Sequence, residues 1–412
     1  MASQRLWSGI DAGKSAHHCV VIDGAGQRLL SRRIANTEAA LSALIDTVLG
    51  LVEHPDVTWA TDLNRGCAAL LIALLQQRGQ HVAYLPGRTV HYAARMYPGE
   101  GKTDAKDAAT IAEHARTRPT LAPIRLVDDI TAALRLLTAR RSNLVVDRTR
   151  TINRLRAQLL EYSPAMEAAF DYGHAKGPLI LLTGYQTPTA IRAVGIVGLE
   201  QWLRNHKVRF ASKVAATAMS AAETQQTIVP GQDVAAAMVK TLAADILQLE
   251  AGVAEVEAKI RVQFLRHKDG DIIFSMPGFG VLLGAELIAA AGGDILGFGS
   301  PERFASACGL VPVPHDSGRI SGKRRRPYRY DRRLLRASYM SAEMATRNDE
   351  RSRVFYDRKR AEGKIHVQAV LALARRRSDV LWAMLRDRTQ FQSNPAISAE
   401  REATQAASAS AV

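Results

Sequence analysis

Between residues 5 and 95 the apolar pattern changes period in a set order, and that order restricts the fold more than any other feature of the chain. Three short segments come first: LWSGIDAG, HHCVVIDGAG and QRLLSRRIA. Each reads as a strand, with Gly24 and Gly26 marking the turn between the second and third. A helix is expected at about 38–50, where Leu41, Leu44, Ile45 and Val48 share one face. VTWATDL then reads as an apolar strand, and AALLIALLQQRG as a helix ended by Gly79. HVAYLPG reads as a buried strand stopped by Pro86, and 89 to about 96 as another helix. After PGEGK, the run TDAKDAATIAEHAR is helical. Three antiparallel strands followed by alternating helix and strand predict a mixed α/β sheet with helices packed on it.

That element order is the order of the ribonuclease H-like fold, and it sets an N-terminal domain at 1–125. Residues 126–268 read as a helical coiled-coil region for oligomerisation and nucleic-acid binding. Its first helix, 128–162, is strongly basic and carries a broken heptad (Leu134, Leu137, Leu144, Ile152, Leu155, Leu159). Its second, 233–266, places Leu242, Ile246, Leu249, Val253, Val256 and Ile260 at alternating spacings of four and three, a coiled-coil seam. Such a seam pairs with the first helix or with another subunit, since it does not stay solvated. A mostly α-helical C-terminal domain is expected at 269–388. It opens on SMPGFGVLLGAELIAAAGG, a glycine turn entering a helix that is similar to a helix–hairpin–helix, whose amides can hold a phosphate; a plain packing turn fits equally well. From 389 to 412 the chain is rich in Ala, Ser, Gln and Glu and reads as a disordered tail.

Charge narrows the partners. Lys and Arg total 55 against 40 Asp and Glu, a formal net charge of +15, which favours a polyanion and most simply nucleic acid. The three cysteines (Cys19, Cys67, Cys308) form no CxxC pair, which argues against a cysteine zinc site and suits a reducing cytosol. The N-terminal residues lack the pattern of a signal peptide. No stretch of 18 or more apolar residues is found, so no membrane span is expected. The expected location is cytoplasmic, in a prokaryote, at the nucleoid.

Four acids in the first domain carry the chemistry. Asp11 ends the first strand and Asp62 ends VTWATD, so in neighbouring strands the two lie side by side at the carboxyl edge. Asp104 and Asp107, spaced i, i+3 at a helix start, point to one face. Clustered carboxylates repel unless cations sit among them, and hard oxygen donors suit Mg²⁺ or Mn²⁺. Two such ions can clamp an in-line phosphoryl transfer. Taken singly, Asp104 also reads as a helix N-cap, Asp107 as a helix-start acid and Asp62 as a turn residue.

The segments IDAGK, WATDLNRGCAALLIALL, YLPGRTV and GEGKTDAKDAATIAEHAR resemble the DEDD insertion-sequence transposases, and the resemblance runs from about residue 7 to 386. It implies a RuvC-like N-terminal domain whose metal ligands fall on Asp11, Asp62, Asp104 and Asp107. The second of these acids is often Glu in the family; Asp62 has a shorter arm and needs a closer backbone approach. The resemblance also implies a C-terminal domain with a nucleophilic serine in GLVPVPHDSGRISGKRRRPYRYDRRLLR. Ser317 fits that role first and Ser321 second; a turn residue in a basic loop is the competing reading. His315 and Asp316 adjoin Ser317, but neighbours in sequence rarely give triad geometry. Arg319, Lys323, Arg324, Arg325, Arg326 and Arg329 suit phosphate contact, the arginines through their bidentate fork. Further on, Phe355, Tyr356 and His366 lie among Lys and Arg, a pattern suited to nucleic acid.

The expected function is therefore DNA transposition or recombination. Strands would be cut and rejoined through a serine–DNA phosphodiester, with Mg²⁺ on the carboxylates. The family resemblance further implies donor and target DNA, a noncoding guide RNA and a homo-oligomer, dimer or tetramer, as partners. A water-using RuvC-like nuclease or junction resolvase is the second reading, and a non-enzymatic nucleic-acid-binding protein the third.

Overall fold

The computed structural model describes residues 4–95, 103–118, 121–124, 127–316, 322 and 324–392. The chain divides into two compact units, Met1–Leu126 and Val127–Val412.

The first unit is built on a six-stranded sheet of order β3-β2-β1-β4-β5-β6. Its strands are β1 (Gln4–Asp11), β2 (Ala16–Ile22), β3 (Arg28–Ala35), β4 (Pro55–Thr61), β5 (His81–Tyr84) and β6 (Ala122–Pro123). The first three pair antiparallel, while β4 runs parallel to β1 and β5 parallel to β4. This is the mixed sheet, in the ribonuclease H-like order, that the sequence predicts; the short edge strand β6 is the addition. The helices are α1 (Glu38–Leu49), α2 (Ala69–Gln77), α3 (Gly87–Ala94) and α4 (Asp104–Thr117). Alternation along β1 and β4 puts Leu6, Ile10, Val57 and Trp59 into a core shared with Leu41, Leu44 and Ile45 of α1 and Leu71 and Leu75 of α2. Helix α4 packs on β1 at Gly9. A Cβ there would stand 2.2 Å from the Ala108 carbonyl oxygen and 2.3 Å from the Ala112 nitrogen, so only glycine lets the helix backbone down onto the strand.

The second unit is helical apart from one ribbon. Helix α5 (Asp129–Tyr162) is followed by α6 (Pro164–Ala169), α7 (Lys176–Gly184), α8 (Pro188–Asn205) and α9 (Ala211–Glu223), and then by α10 (Gln232–Arg266). After these come α11 (Gly270–Ser275), α12 (Val281–Ala291), α13 (Pro301–Ala307), the ribbon β7 (Val313–Pro314) and β8 (Arg324–Arg325), α14 (Arg332–Asn348), α15 (Glu350–Ala361) and α16 (His366–Asp387). The seam of α10 lies against α5 of the same chain, with Ile246, Val256 and Ile260 buried. Arg141 Nε meets Glu257 at 2.7 Å and Arg148 Nη2 meets Glu250 at 2.6 Å across the pair.

Two cores lie along this helix pair. Ile152, Leu155 and Leu159 with Val239 and Ile246 share one core with α6–α9. Leu134 and Leu144 with Val256, Ile260 and Phe264 share the other with the C-terminal helices. The boundary expected at 268/269 thus falls inside a core: Phe264 of α10 packs with Ile273 of α11, and a Cβ on Gly284 of α12 would come 2.6 Å from its ring. The sequence reading drew a boundary there because the helix ends; packing continues across it.

The chain does hold an 18-residue window apolar enough to cross a membrane, Val281–Phe298, contrary to the sequence reading. In the fold it is not one helix. Helix α12 ends at Ala291, Gly292 and Gly293 adopt φ of +75° and +86°, and Leu287 and Ile288 are buried in the core. The start of the expected tail is held too: Phe391 packs on the core and its amide donates to Ser275 Oγ at 2.9 Å. Residues 393–412 lie outside the described residues.

Candidate functional site

Strand geometry sets two of the acids, Asp11 and Asp62, at one sheet edge. In the parallel β1–β4 pair, Ile10 stands opposite Thr61, so Asp11 and Asp62 leave the sheet as the next residues of adjacent strands. The Ala12 amide donates to Asp62 Oδ1 at 3.5 Å, which ties the two exits together. Across the antiparallel side, Asp11 pairs with His18 of β2. Asp62 has its acidity weakened, first by burial and then by the negative charge of Asp107, while the Ala12 amide opposes the shift. The charge of Asp104 reaches His18, whose pKa is nonetheless lowered, chiefly by burial. Asp107 thus lies within electrostatic reach of Asp62, and Asp104 within reach of His18, the partner of Asp11 on β2.

Helix α4 brings Asp104 and Asp107 there by a local device. Thr103, not Asp104, is its N-cap: the Thr103 Oγ1 accepts from the Lys106 amide at 3.2 Å. Asp104 stands exposed in the first turn and Asp107 half-buried one turn on. Because Gly9 admits α4 so closely, the position of both acids depends on a residue that has no side chain.

A clamp that sequence reasoning missed supports the edge from behind. Asn36, just after β3, donates through Nδ2 to the carbonyl oxygens of Lys14 and Cys67, 3.2 Å each. Its own amide donates to the Ser15 carbonyl at 2.9 Å. The Cys67 thiol donates to the Ala12 carbonyl at 3.4 Å. The segment after Asp11 and the segment after Asp62 are thus tied to the same asparagine. No motif signals such a residue, because its partners are backbone atoms distant in sequence.

The donor set consists of hard carboxylate oxygens, which suits Mg²⁺ or Mn²⁺ by type. Among the described residues, however, no three Asp, Glu, His or Cys side chains come together as a group that could hold a metal ion.

In the second unit, Ser317, Arg319, Ser321 and Lys323 lie outside the described residues. The frame of their loop is defined at both ends. Gly309, at φ +69°, leaves room for the Tyr330 ring, which a Cβ would meet at 2.7 Å. The Asp331 amide donates to the Ala307 carbonyl at 2.8 Å, and the Asp331 carboxylate caps α14 by accepting from the Arg333 and Leu334 amides. Arg324 and Arg325 form β8 against Val313 and Pro314. Arg325 lies over the exposed Tyr328 ring at 4.4 Å and Arg326 over Tyr330 at 5.2 Å. Arg324, Arg325, Arg326 and Arg329 are all exposed.

Comparison with known proteins gives this arrangement its class. A family model described as transposase matches residues 8–164, and the model of the transposase IS116/IS110/IS902 family matches residues 270–357. The chain is a DNA transposase, an enzyme of DNA strand transfer, and it belongs to the IS116/IS110/IS902 family. It is similar to the insertion element IS900 uncharacterized 42 kDa protein of Mycobacterium paratuberculosis, 56% identical over 389 residues that span 94% of this chain and 98% of that protein. The insertion element IS116 uncharacterized 44.8 kDa protein of Streptomyces clavuligerus is 48% identical over 393 residues, 95% of this chain and 98% of its own. Among solved structures, T. thermophilus RuvC in complex with Holliday junction substrate is 15% identical and covers 29% of this chain and 99% of its own; the TM-score is 0.24, too low to bear on function.

Proposed function

We propose that this transposase cuts and rejoins DNA through a serine–DNA phosphodiester, with Ser317 as nucleophile and Asp11, Asp62, Asp104 and Asp107 as the ligands of Mg²⁺ or Mn²⁺. The observation that carries the metal half is Asp62: a carboxylate at the exit of β4, tied to the exit of β1, whose acidity is weakened by burial and by Asp107. Carboxylates set against one another in this way are relieved by a bound cation. When bound, the ion supplies charge for the oxygens of the reacting phosphate.

In the proposed reaction Ser317 Oγ forms a bond to phosphorus while a bridging P–O bond of the DNA breaks. The serine proton passes to solvent, and the departing oxygen takes up a proton. A hydroxyl of the second strand then attacks the same phosphorus and expels Oγ, which regains a proton. Arg319, Lys323, Arg324, Arg325, Arg326 and Arg329 hold the phosphates on either side. Support for these roles comes from the family likeness and from the exposed arginines of β8 and its loop. Donor and target DNA, a noncoding guide RNA read by shape and backbone, and a dimeric or tetrameric assembly complete the proposal. The place of action proposed is the bacterial nucleoid.

Incubation with nicked DNA in Mg²⁺ separates this reading from its rivals. A covalent protein–DNA adduct is expected. Mg²⁺-dependent cutting with no adduct would make the chain a water-using nuclease. Binding without cutting in any divalent metal would leave only a binding protein.

A further inference from the structure

A cavity of about 440 Å³ opens in the second unit between α15, α16 and the start of the C-terminal segment, a size that accepts a small ligand or one nucleotide. Its floor and walls are apolar: Met276, Leu373, Val380 and Phe391, with the Phe355 ring among them. Arginines line it as well. Arg358, Lys359 and Arg376 stand over the Phe355 ring at 5.1, 5.6 and 5.3 Å from its centre, so a base stacking there takes the place of one of these cations. Arg351 is exposed, and neither it nor Arg376 makes an ion pair among the described residues.

Arg377 is different. It is only 7% exposed, it donates to the Pro277 carbonyl and at 2.9 Å to Ser341 Oγ, and its Nε has no partner among the described residues. Burial pushes its pKa down to about 10, so it remains a cation at neutral pH. Acids offset part of this charge. Asp349 and Glu350 line the cavity, and the charge of Asp349 acts on Arg377. Arg358 pairs with Glu362 at 4.0 Å. The four guanidiniums of the lining outnumber its two carboxylates. The Asp349 carboxylate is taken up by the Ser352 amide and hydroxyl, at 3.0 and 2.6 Å, and Glu350 is exposed. An apolar slot with one aromatic face, a cationic rim and a buried guanidinium in its wall is complementary to a flat apolar body that carries an anion.

We propose that this cavity binds one unstacked nucleobase of a single-stranded nucleic acid, with the base against Phe355 and its phosphate among Arg351, Arg358 and Arg376. The site lies apart in sequence from the Ser317 loop, and it rests on the reading of the chain as a nucleic-acid enzyme. Every base presents a flat face, so the pocket selects strandedness rather than sequence. Duplex DNA, with its bases stacked, has no such group to offer.

The test uses the full chain and a 16-nucleotide single strand bearing a central 5-iodouracil, as DNA and as RNA, beside the matching duplex. Phe355→Leu keeps the apolar volume and removes the ring. It is expected to weaken single-strand binding about tenfold and duplex binding less than twofold. Irradiation is expected to link the iodouracil to the peptide that contains Phe355. Whichever strand, DNA or RNA, shows the larger loss is the source of the base. Should Phe355→Leu fail to fold, Arg376→Gln, on an exposed side chain, serves in its place, with about a threefold loss on single strands alone. Parental single-strand affinity in the folded variants, or a cross-link mapped only elsewhere, overturns the pocket while leaving the transposase reading intact. A parent chain that binds neither single strand nor duplex overturns both.

Discussion

At the residue scale, Asp62 is the most informative side chain of the carboxylate edge. Its folded pKa lies above the ordinary carboxylate value, so its contribution to stability is fully present below that value and is lost as pH rises through the raised one. At neutral pH the ionised form is a net cost to the metal-free fold. Asp62→Asn is expected to melt higher than the parent in EDTA at pH 7, by on the order of 1–3 °C after discounting for partial exposure. That advantage should shrink as the pH falls toward 4. A variant that melts lower at pH 7, with a gap independent of pH, would remove the electrostatic reading of this position. Asp11→Asn tests the ligand role: strand cleavage in Mg²⁺ is expected to fall by roughly 10–100-fold or more, while filter binding of the same DNA changes less than twofold. Equal cleavage by variant and parent would exclude Asp11 as a ligand. The places of the acids at strand ends and in the first turn of α4 were readable in the sequence, because strand ends and an i, i+3 pair are local patterns. The function of Thr103 as the true helix cap and of Asn36 as a backbone clamp was not, since one hydroxyl among several polar neighbours and a set of long-range carbonyls leave no periodic trace.

At the scale of elements, the packing of α4 on β1 is what brings Asp107 within electrostatic reach of Asp62. Gly9→Ala would drive a methyl group into the Ala108 carbonyl and the Ala112 nitrogen, and neither backbone atom can yield without moving the helix. Overpacking of this kind costs about 1–3 kcal/mol. The expected outcome is a lower melting temperature together with a loss of Mg²⁺-dependent cleavage larger than that loss of stability explains. Retained activity in a destabilised variant would show that the position of α4 is not critical. The order of strands and helices in the first unit was legible because each change of hydrophobic period marks an element. The seam of α10 was legible as a seam but not as to its partner, since α5 and a second subunit bury the same side chains equally well. In the fold α5 occupies it, and Val256 is only 9% exposed. Val256→Lys places a charge among apolar side chains, and the expected result, read by thermal melting, is unfolding of the second unit at a cost of about 2–5 kcal/mol. A stable variant that only changes its mass in light scattering would return the seam to the subunit interface.

At the scale of the whole molecule, the net charge of +15 sets how the protein meets DNA. Affinity carried by phosphate contacts falls steeply with salt. Between 50 and 200 mM salt, a fall of about 10³-fold or more is expected if six or more phosphates are engaged. A flat salt dependence would argue against the arginine-rich surface as the point of contact. The proposed reaction draws on acids from one compact unit of the chain and a serine from the other. That sharing is the central claim, and one measurement addresses it directly: trapping the protein on nicked DNA in Mg²⁺, digesting the complex and mapping the nucleotide-bearing peptide by mass, for the parent and for Asp11→Asn. The prediction is a phosphodiester on Ser317 in the parent and no adduct in Asp11→Asn. Mg²⁺-dependent cleavage with no adduct on Ser317, or an adduct whose yield Asp11→Asn leaves unchanged, would contradict it.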